Sequence, residues 1–107
     1  MAWTRIADAH QLQDDEVMPH AMGDTQLALF RSGGEFHVTD NVCTHQFALL
    51  SDGYVEDGCV ECPLHQARFD IRTGKALCAP AIIDLATYPV KVDGEELLVG
   101  IGTEPAA

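Results

Sequence analysis

The chain has 107 residues, which suits a single domain, and 47% of them are apolar. A formal net charge of -11 at pH 7 repels phosphate backbones, which argues against nucleic-acid binding. Such a charge suits a basic protein partner, although keeping a small protein soluble is the simpler explanation. No apolar run approaches the roughly twenty residues that cross a bilayer. The N-terminus lacks the pattern of a secretory signal, so we expect a cytoplasmic protein that does not contact membranes.

Short strands separated by turn dipeptides predict an antiparallel, all-β fold. About one helical turn is expected at residues 8–12, opened by Asp8, and His20 follows Pro19 in a predicted edge strand. Three hairpins are predicted: 26–31 with 35–39, 54–56 with 59–61, and 87–92 with 96–101. A further turn is predicted at 72–75. One domain over 1–107 follows, with a loose tail from residue 102.

Residues 41–51 and 62–67 lack the period of two of a strand and concentrate Cys, His, Pro and Gln. Cys43 and His45 have the form C-x-H, and after sixteen intervening residues come Cys62 and His65 in the form C-x-x-H. Thiolate and imidazole are the donors that soft and borderline transition metals choose. We therefore predict that these four residues close around one metal centre from two loops.

Two rival metal sites use some of the same residues. A structural zinc takes the same donors, but zinc fingers usually draw both Cys from one element and both His from another. An all-cysteine site would add Cys59 and Cys78 to Cys43 and Cys62. If 59–62 continues a strand, alternation sends Cys59 and Cys62 to opposite faces. Cys59 and Cys78 are therefore expected to be buried apolar residues, or at most neighbours of the loops.

The remaining histidines, His10, His20 and His37, are interpreted as surface or packing residues. A mononuclear iron held by two His and one carboxylate would make the chain an oxygenase. Such a pocket usually needs a second domain to enclose its substrate, and 107 residues leave no length for one.

The pattern C-x-H, sixteen residues, C-x-x-H resembles that of Rieske proteins. Residues 62–80 resemble the Rieske ferredoxins of bacterial aromatic-ring-hydroxylating dioxygenase systems, particularly the naphthalene-dioxygenase-like ones. The resemblance implies three small antiparallel sheets, a two-loop cluster-binding subdomain over roughly 41–83, and one 2Fe-2S cluster held by Cys43, His45, Cys62 and His65. It also implies a carrier with no catalytic residue. An NAD(P)H-dependent flavoprotein ferredoxin reductase would supply the electrons, and a terminal oxygenase would consume them.

The same resemblance implies that the cysteine-bound iron lies inward while both imidazoles reach the surface. An apolar rim is expected around them, formed by Phe47, Ala48, Leu64, Pro80 and Ala81. Many relatives carry Gly directly after each ligand His, whereas this chain has Gln46 and Gln66, so the loop geometry there departs from the family pattern.

Two further departures concern the environment of the cluster. Rieske subunits of cytochrome complexes brace their loops with a disulfide, but the matching positions here are Ala48 and Leu64. High-potential relatives place Ser and Tyr two and four residues after the second ligand His, where this chain has Ala67 and Phe69. A low reduction potential is therefore expected.

Two other functions have to be separated from electron carriage. The small subunit of assimilatory nitrite reductase has a Rieske-like fold, although members of that group often lack the ligands that this chain retains. A zinc-stabilised interaction module is the other, and it would be colourless, whereas an oxidised Rieske cluster is red-brown.

Overall fold

The protein is described by a computed structural model that covers residues 2–43, 48–63, 67–78 and 83–101. Within these ranges the strands are β1 (Ala2–Asp8), β2 (Glu16–Met22), β3 (Thr25–Ser32), β4 (Glu35–Asp40), β5 (Tyr54–Glu56), β6 (Cys59–Glu61), β7 (Arg68–Asp70), β8 (Ala76–Cys78), β9 (Thr87–Tyr88), β10 (Val90–Asp93) and β11 (Glu96–Ile101). Short 3-10 helices span Ala9–Gln11 and Leu50–Asp52. None of the helices in the described ranges has the length and apolarity to cross a bilayer.

The strands form three antiparallel sheets with the orders β1-β11-β10, β2-β3-β4-β9 and β5-β6-β7-β8. This confirms the predicted all-β fold with three small antiparallel sheets. The third sheet is made of the strands on either side of Cys62, and it is therefore the sheet of the predicted cluster-binding subdomain. The 8–12 prediction is confirmed as the first 3-10 helix, and β2, which contains Pro19, lies at a sheet edge as expected.

Two cores lie on opposite sides of the middle sheet. The base core contains Ile6, Ala7, Leu12, Leu27, Leu29, Val38, Leu97 and Val99. The cysteine core contains Ala28, Phe30, Cys43, Leu50, Val60, Cys62, Ala67, Phe69, Ile71 and Leu85.

Strand β3 is shared by both cores. Its successive side chains point to opposite faces, so Leu27 and Leu29 enter the base core while Ala28 and Phe30 enter the cysteine core. All four are fully buried, which is why this strand reads as a continuous apolar run and not as an alternating one. The cysteine core is thus seated directly on the middle sheet.

The glycine turns form as predicted in the first two hairpins. Gly33 and Gly34 have φ values of 59 and 80 degrees between β3 and β4. Asp57 and Gly58 have φ values of 52 and 76 degrees between β5 and β6. Two successive positive φ angles are characteristic of the tight two-residue turns that match the twist of a hairpin.

The third predicted hairpin is only partly correct. The interpretation of 87–92 as one strand is wrong, because Pro89 divides it into β9, which pairs with β4, and β10, which pairs with β11. Proline has no N–H to continue a ladder, whereas its carbonyl still accepts a hydrogen bond from Gly100 N–H at 2.8 Å. The chain changes sheets at this residue.

Candidate metal centre

Cys43 begins a short loop that is closed by the backbone. Its N–H donates to the carbonyl of Ala48 at 2.8 Å. One residue further out, Val42 and Leu49 form an antiparallel bridge. We call residues 43–48 loop 1.

Cys62 begins a second loop that is closed in the same way. Its N–H donates to the carbonyl of Ala67 at 2.7 Å, and one residue further out Glu61 pairs with Arg68. We call residues 62–67 loop 2. The two loops have equal lengths and equal closures, although the Cys and His spacings within them differ.

Both loops place their first cysteine in the same core. Cys43 is 4% exposed and Cys62 is 1% exposed, and both pack among the residues of the cysteine core. A buried cysteine is by itself an ordinary small apolar residue. Two of them, each at the start of a matched closed loop, are the donor type that the thiolate half of an iron-sulfur site requires, so these residues fit such a cluster.

Several predicted site residues lie outside the described ranges. They are the other two predicted ligands, the two glutamines that follow them, and four of the five rim residues: His45, His65, Gln46, Gln66, Phe47, Leu64, Pro80 and Ala81. The fifth rim residue, Ala48, is half-buried and packs against the cysteine core. Among the described residues, no group of three or more His, Cys, Asp or Glu side chains is arranged to hold a metal ion.

The other two cysteines do not join Cys43 and Cys62. Cys59 is half-buried and pairs with Asp70 on β7, whereas Val60 and Cys62 point into the cysteine core, as the predicted alternation requires. The expected burial is wrong for Cys78, which is exposed because β8 is the edge strand of its sheet. Cys78 pairs with Arg68 and is thus a neighbour of loop 2.

The described histidines occupy surface and packing positions. His10 is exposed, while His20 and His37 are half-buried in β2 and β4. They lie on different elements, and none belongs to the cysteine core.

Sequence reasoning missed a polar residue at the foot of loop 1. Asn41 was assigned only to an irregular segment, yet it is completely buried. Its amide contacts Ser51 with both of its polar atoms. The only signal in the sequence is an Asn two residues before Cys43, which does not distinguish a buried clamp from an ordinary turn residue.

A second polar contact fixes the end of β4, just before loop 1. The hydroxyl of Tyr88 donates to Oδ1 of Asp40 at 2.5 Å. Burial, followed by this hydrogen bond and the charge of Asp40, raises the pKa of Tyr88 from 10.0 to about 12. The contact joins β9 to the strand that leads into loop 1.

We expect Tyr88→Phe to lower the free energy of unfolding at pH 7 by about 1 kcal/mol, because a hydrogen bond to a carboxylate is lost on a half-exposed surface. The raised pKa means that the folded state favours the neutral phenol, so the contribution of Tyr88 is complete below pH 10 and is lost as the pH rises from about 10 to about 12. Denaturant titrations of both proteins should therefore converge over that interval. In a Tyr54→Phe background, a phenolate absorbance midpoint near 10 would contradict the prediction.

Comparison with known proteins shows the family to which this chain belongs. Residues 2–89 match the Rieske 2Fe-2S domain. The ferredoxin component of the naphthalene 1,2-dioxygenase system of Pseudomonas aeruginosa is 40% identical over 92% of this chain and 95% of its own length. The chain therefore belongs to the Rieske 2Fe-2S domain family. Within that family it groups with the ferredoxin components of aromatic dioxygenase systems, which carry electrons and are not themselves catalysts.

Solved structures agree with this assignment. The Sphingomonas yanoikuyae B1 ferredoxin superposes with a TM-score of 0.90 at 34% identity, covering 94% of this chain and all of the ferredoxin. A chain from a complex of reduced oxygenase and oxidised ferredoxin in carbazole 1,9a-dioxygenase superposes with a TM-score of 0.86 at 31% identity, covering 91% of both chains. A nitrite reductase small subunit matches at 20% identity with a TM-score of 0.82, which shows a common fold alone.

Proposed function

We propose that this chain carries single electrons from an NAD(P)H-dependent flavoprotein ferredoxin reductase to a terminal aromatic-ring-hydroxylating oxygenase. The 2Fe-2S cluster would be held by Cys43, His45, Cys62 and His65, with one cluster in a single domain over 1–107. The observation that carries the proposal is the pair of equal closed loops, each beginning with a cysteine buried in one core. The 40% identity to a dioxygenase ferredoxin component supports the assignment of partners.

The chain's own residues have three tasks in this function. Cys43 and Cys62 bind as thiolates, and the burial of both excludes water from that side of the site. The backbone bonds from Cys43 to Ala48 and from Cys62 to Ala67 close the base of each loop, where the two cysteines lie. A 2Fe-2S cluster, when bound, accepts and returns one electron, and two neutral imidazoles raise its potential relative to four thiolates.

The cytoplasm is the proposed compartment, because four cysteines and a cluster-binding role suit a reducing environment. The same proposal makes a basic docking patch on each partner the natural complement of a chain with a net charge of -11.

The direct test is reconstitution of the electron path. The purified holoprotein should be reduced by NAD(P)H only when a flavoprotein reductase is present, and it should be reoxidised on mixing with oxidised oxygenase under anaerobic conditions. Stopped-flow absorbance of the cluster follows both steps. Failure of both steps with reductases and oxygenases of the naphthalene type, together with stable co-purification with a nitrite reductase large subunit, would replace the proposal by the small-subunit function.

We also expect the rate of reduction by the reductase and the rate of reoxidation by the oxygenase to fall as ionic strength rises. Charges steer docking through fields that are screened over about 10 Å at 0.1 M salt, and carrier interfaces are small and transient. Second-order rate constants measured from low to high salt should decrease by about tenfold or more. Rates that stay flat over this range would remove the steering claim and leave the cluster assignment untouched.

A further inference from the structure

The two loops of the candidate metal centre differ in the backbone pairing at their bases. Loop 2 continues the β6–β7 hairpin, which contributes three successive antiparallel pairs beneath it. Loop 1 rests on the isolated Val42–Leu49 bridge. The chain segments on either side of that bridge do not form a hairpin, because the preceding segment is β4 and the following one is the 3-10 helix Leu50–Asp52. Loop 1 therefore lacks the hairpin that supports loop 2.

The side chain of Asn41 takes the place of the missing ladder. Its Nδ2 donates to Oγ of Ser51 at 2.9 Å, and its Oδ1 accepts from the N–H of Ser51 at 2.8 Å. The backbone of Asn41 adds two more bonds, because its carbonyl accepts from Leu50 N–H and its own N–H donates to the carbonyl of Gln26, both at 2.8 Å. Asn41 is 0% exposed, so an unmade bond here would not be replaced by water.

The segment that Asn41 holds continues to the foot of loop 2. Gly53 lies two residues after Ser51, and a Cβ at Gly53 would lie 2.1 Å from the carbonyl oxygen of Glu61. Its φ of -93 degrees is open to any residue, so the requirement for glycine is steric. Glu61 directly precedes Cys62. A short path of contacts thus runs from Asn41, two residues before Cys43, to Glu61, the last residue of β6 and the residue before Cys62.

We propose that Asn41 is a positioning residue that sets the place of Cys43 relative to Cys62, and that cluster retention depends on its two contacts with Ser51. The inference rests on the proposed function, because it requires Cys43 to be a ligand. Asn41 acts through the loop backbone and does not itself touch the cluster.

The test compares variants on the two sides of this contact in the holoprotein. Asn41→Ala removes both side-chain bonds, Ser51→Ala removes only the hydroxyl, and Ser51→Thr retains it. Thr39→Val is the matched control, because Thr39 is also 0% exposed and lies on β4 two residues before Asn41, and its hydroxyl donates to the carbonyl of Asp40 at 2.8 Å without spanning loop 1. Two readouts are used at temperatures where each variant is folded by circular dichroism: the bleaching rate with an iron chelator, and the electron paramagnetic resonance of the reduced cluster.

We expect Asn41→Ala to bleach about tenfold faster than the wild type and Ser51→Ala about threefold faster, as the loss of two bonds or one predicts. The resonance lines of Asn41→Ala should shift or broaden, while Ser51→Thr and Thr39→Val should match the wild type within about twofold in bleaching rate.

A purely structural role would lower stability in Asn41→Ala and Thr39→Val alike and leave the resonance unchanged, which would overturn the inference. If Asn41→Ala does not fold, equal bleaching of Ser51→Ala and Ser51→Thr overturns it instead. A cluster that survives in Cys43→Ala would refute the ligand set itself, which is a different failure.

Discussion

Replacing Cys43 or Cys62 with Ala is expected to abolish the 2Fe-2S cluster, and replacing His45 or His65 with Ala is expected to do the same. Each change would remove one of the two protein donors that the proposed ligand set gives an iron, and no other described thiol or imidazole shares the cysteine core. Iron and acid-labile sulfide analysis should give two of each in the wild type and close to none in these variants. The visible absorbance and the resonance of the reduced protein should be lost together.

The chain offers its own matched controls for this experiment. Cys59→Ser and Cys78→Ser remove the other two thiols of the chain, one half-buried and one exposed, and both should retain iron, sulfide and colour. Retention is expected because Cys59 points away from the cysteine core and Cys78 lies on an edge strand. Loss of the cluster in Cys59→Ser would instead favour the all-cysteine site, and a colourless protein that binds zinc would favour the interaction module.

Much of the fold was predictable because its turns are marked by residues that need positive φ. Asp57-Gly58 and Gly33-Gly34 locate two hairpins directly. The change of sheet at Pro89 was not predicted, since 87–92 keeps a strand-like composition and only the tertiary pairing shows where each half goes. Strand β1 was also missed. Its partner β11 lies at the far end of the described chain, and local pattern does not report such a distant pairing.

The candidate site was likewise predictable only in its local features. The ligand pairs were predictable because the donor types and their spacing can be read directly from the sequence. The equal closure of the two loops was not predictable, because it depends on backbone hydrogen bonds. The role of Asn41 depends on Ser51, ten residues away, and on their common burial. The burial expected for Cys78 was wrong because exposure depends on a strand's place in its sheet, and β8 is an edge strand, whereas its expected position beside a loop holds.

A low reduction potential is the second large effect that we expect, and it follows from two hydroxyl groups that the cysteine core lacks. Rieske centres extend from about -150 to about +300 mV, and hydrogen bonds to the sulfurs tune them within that range. At the two positions where high-potential relatives carry hydroxyls, this chain has Ala67 and Phe69, both 0% exposed in the cysteine core. We therefore expect a midpoint at the low end of this range, below about -50 mV.

Restoring the two hydroxyls should raise the midpoint. Ala67 accepts the hydrogen bond from Cys62 N–H, so a hydroxyl in Ala67→Ser lies at the foot of loop 2, and Phe69→Tyr adds a second donor on the adjoining strand. Reduction adds negative charge to the cluster, and a hydrogen bond to a charged group contributes about 1.5 to 3 kcal/mol. With about 1.4 kcal/mol and 59 mV per factor of ten in a one-electron couple, each hydroxyl should raise the potential by about 60 mV or more.

The matched control for this experiment is Ala28→Ser, which places the same hydroxyl at a fully buried alanine of the same core, but on β3, which belongs to neither loop. It should cost stability, because a buried hydroxyl needs a partner, while leaving the potential unchanged. Protein-film voltammetry measures all four proteins under one condition. Equal shifts in Ala28→Ser and Ala67→Ser would mean that core polarity, and not a directed hydrogen bond, sets the potential.

A wild-type midpoint above about +100 mV would contradict the low-potential assignment altogether. It would favour a chain that takes its electrons from a quinol, because that potential lies well above what a carrier between flavin and oxygenase needs.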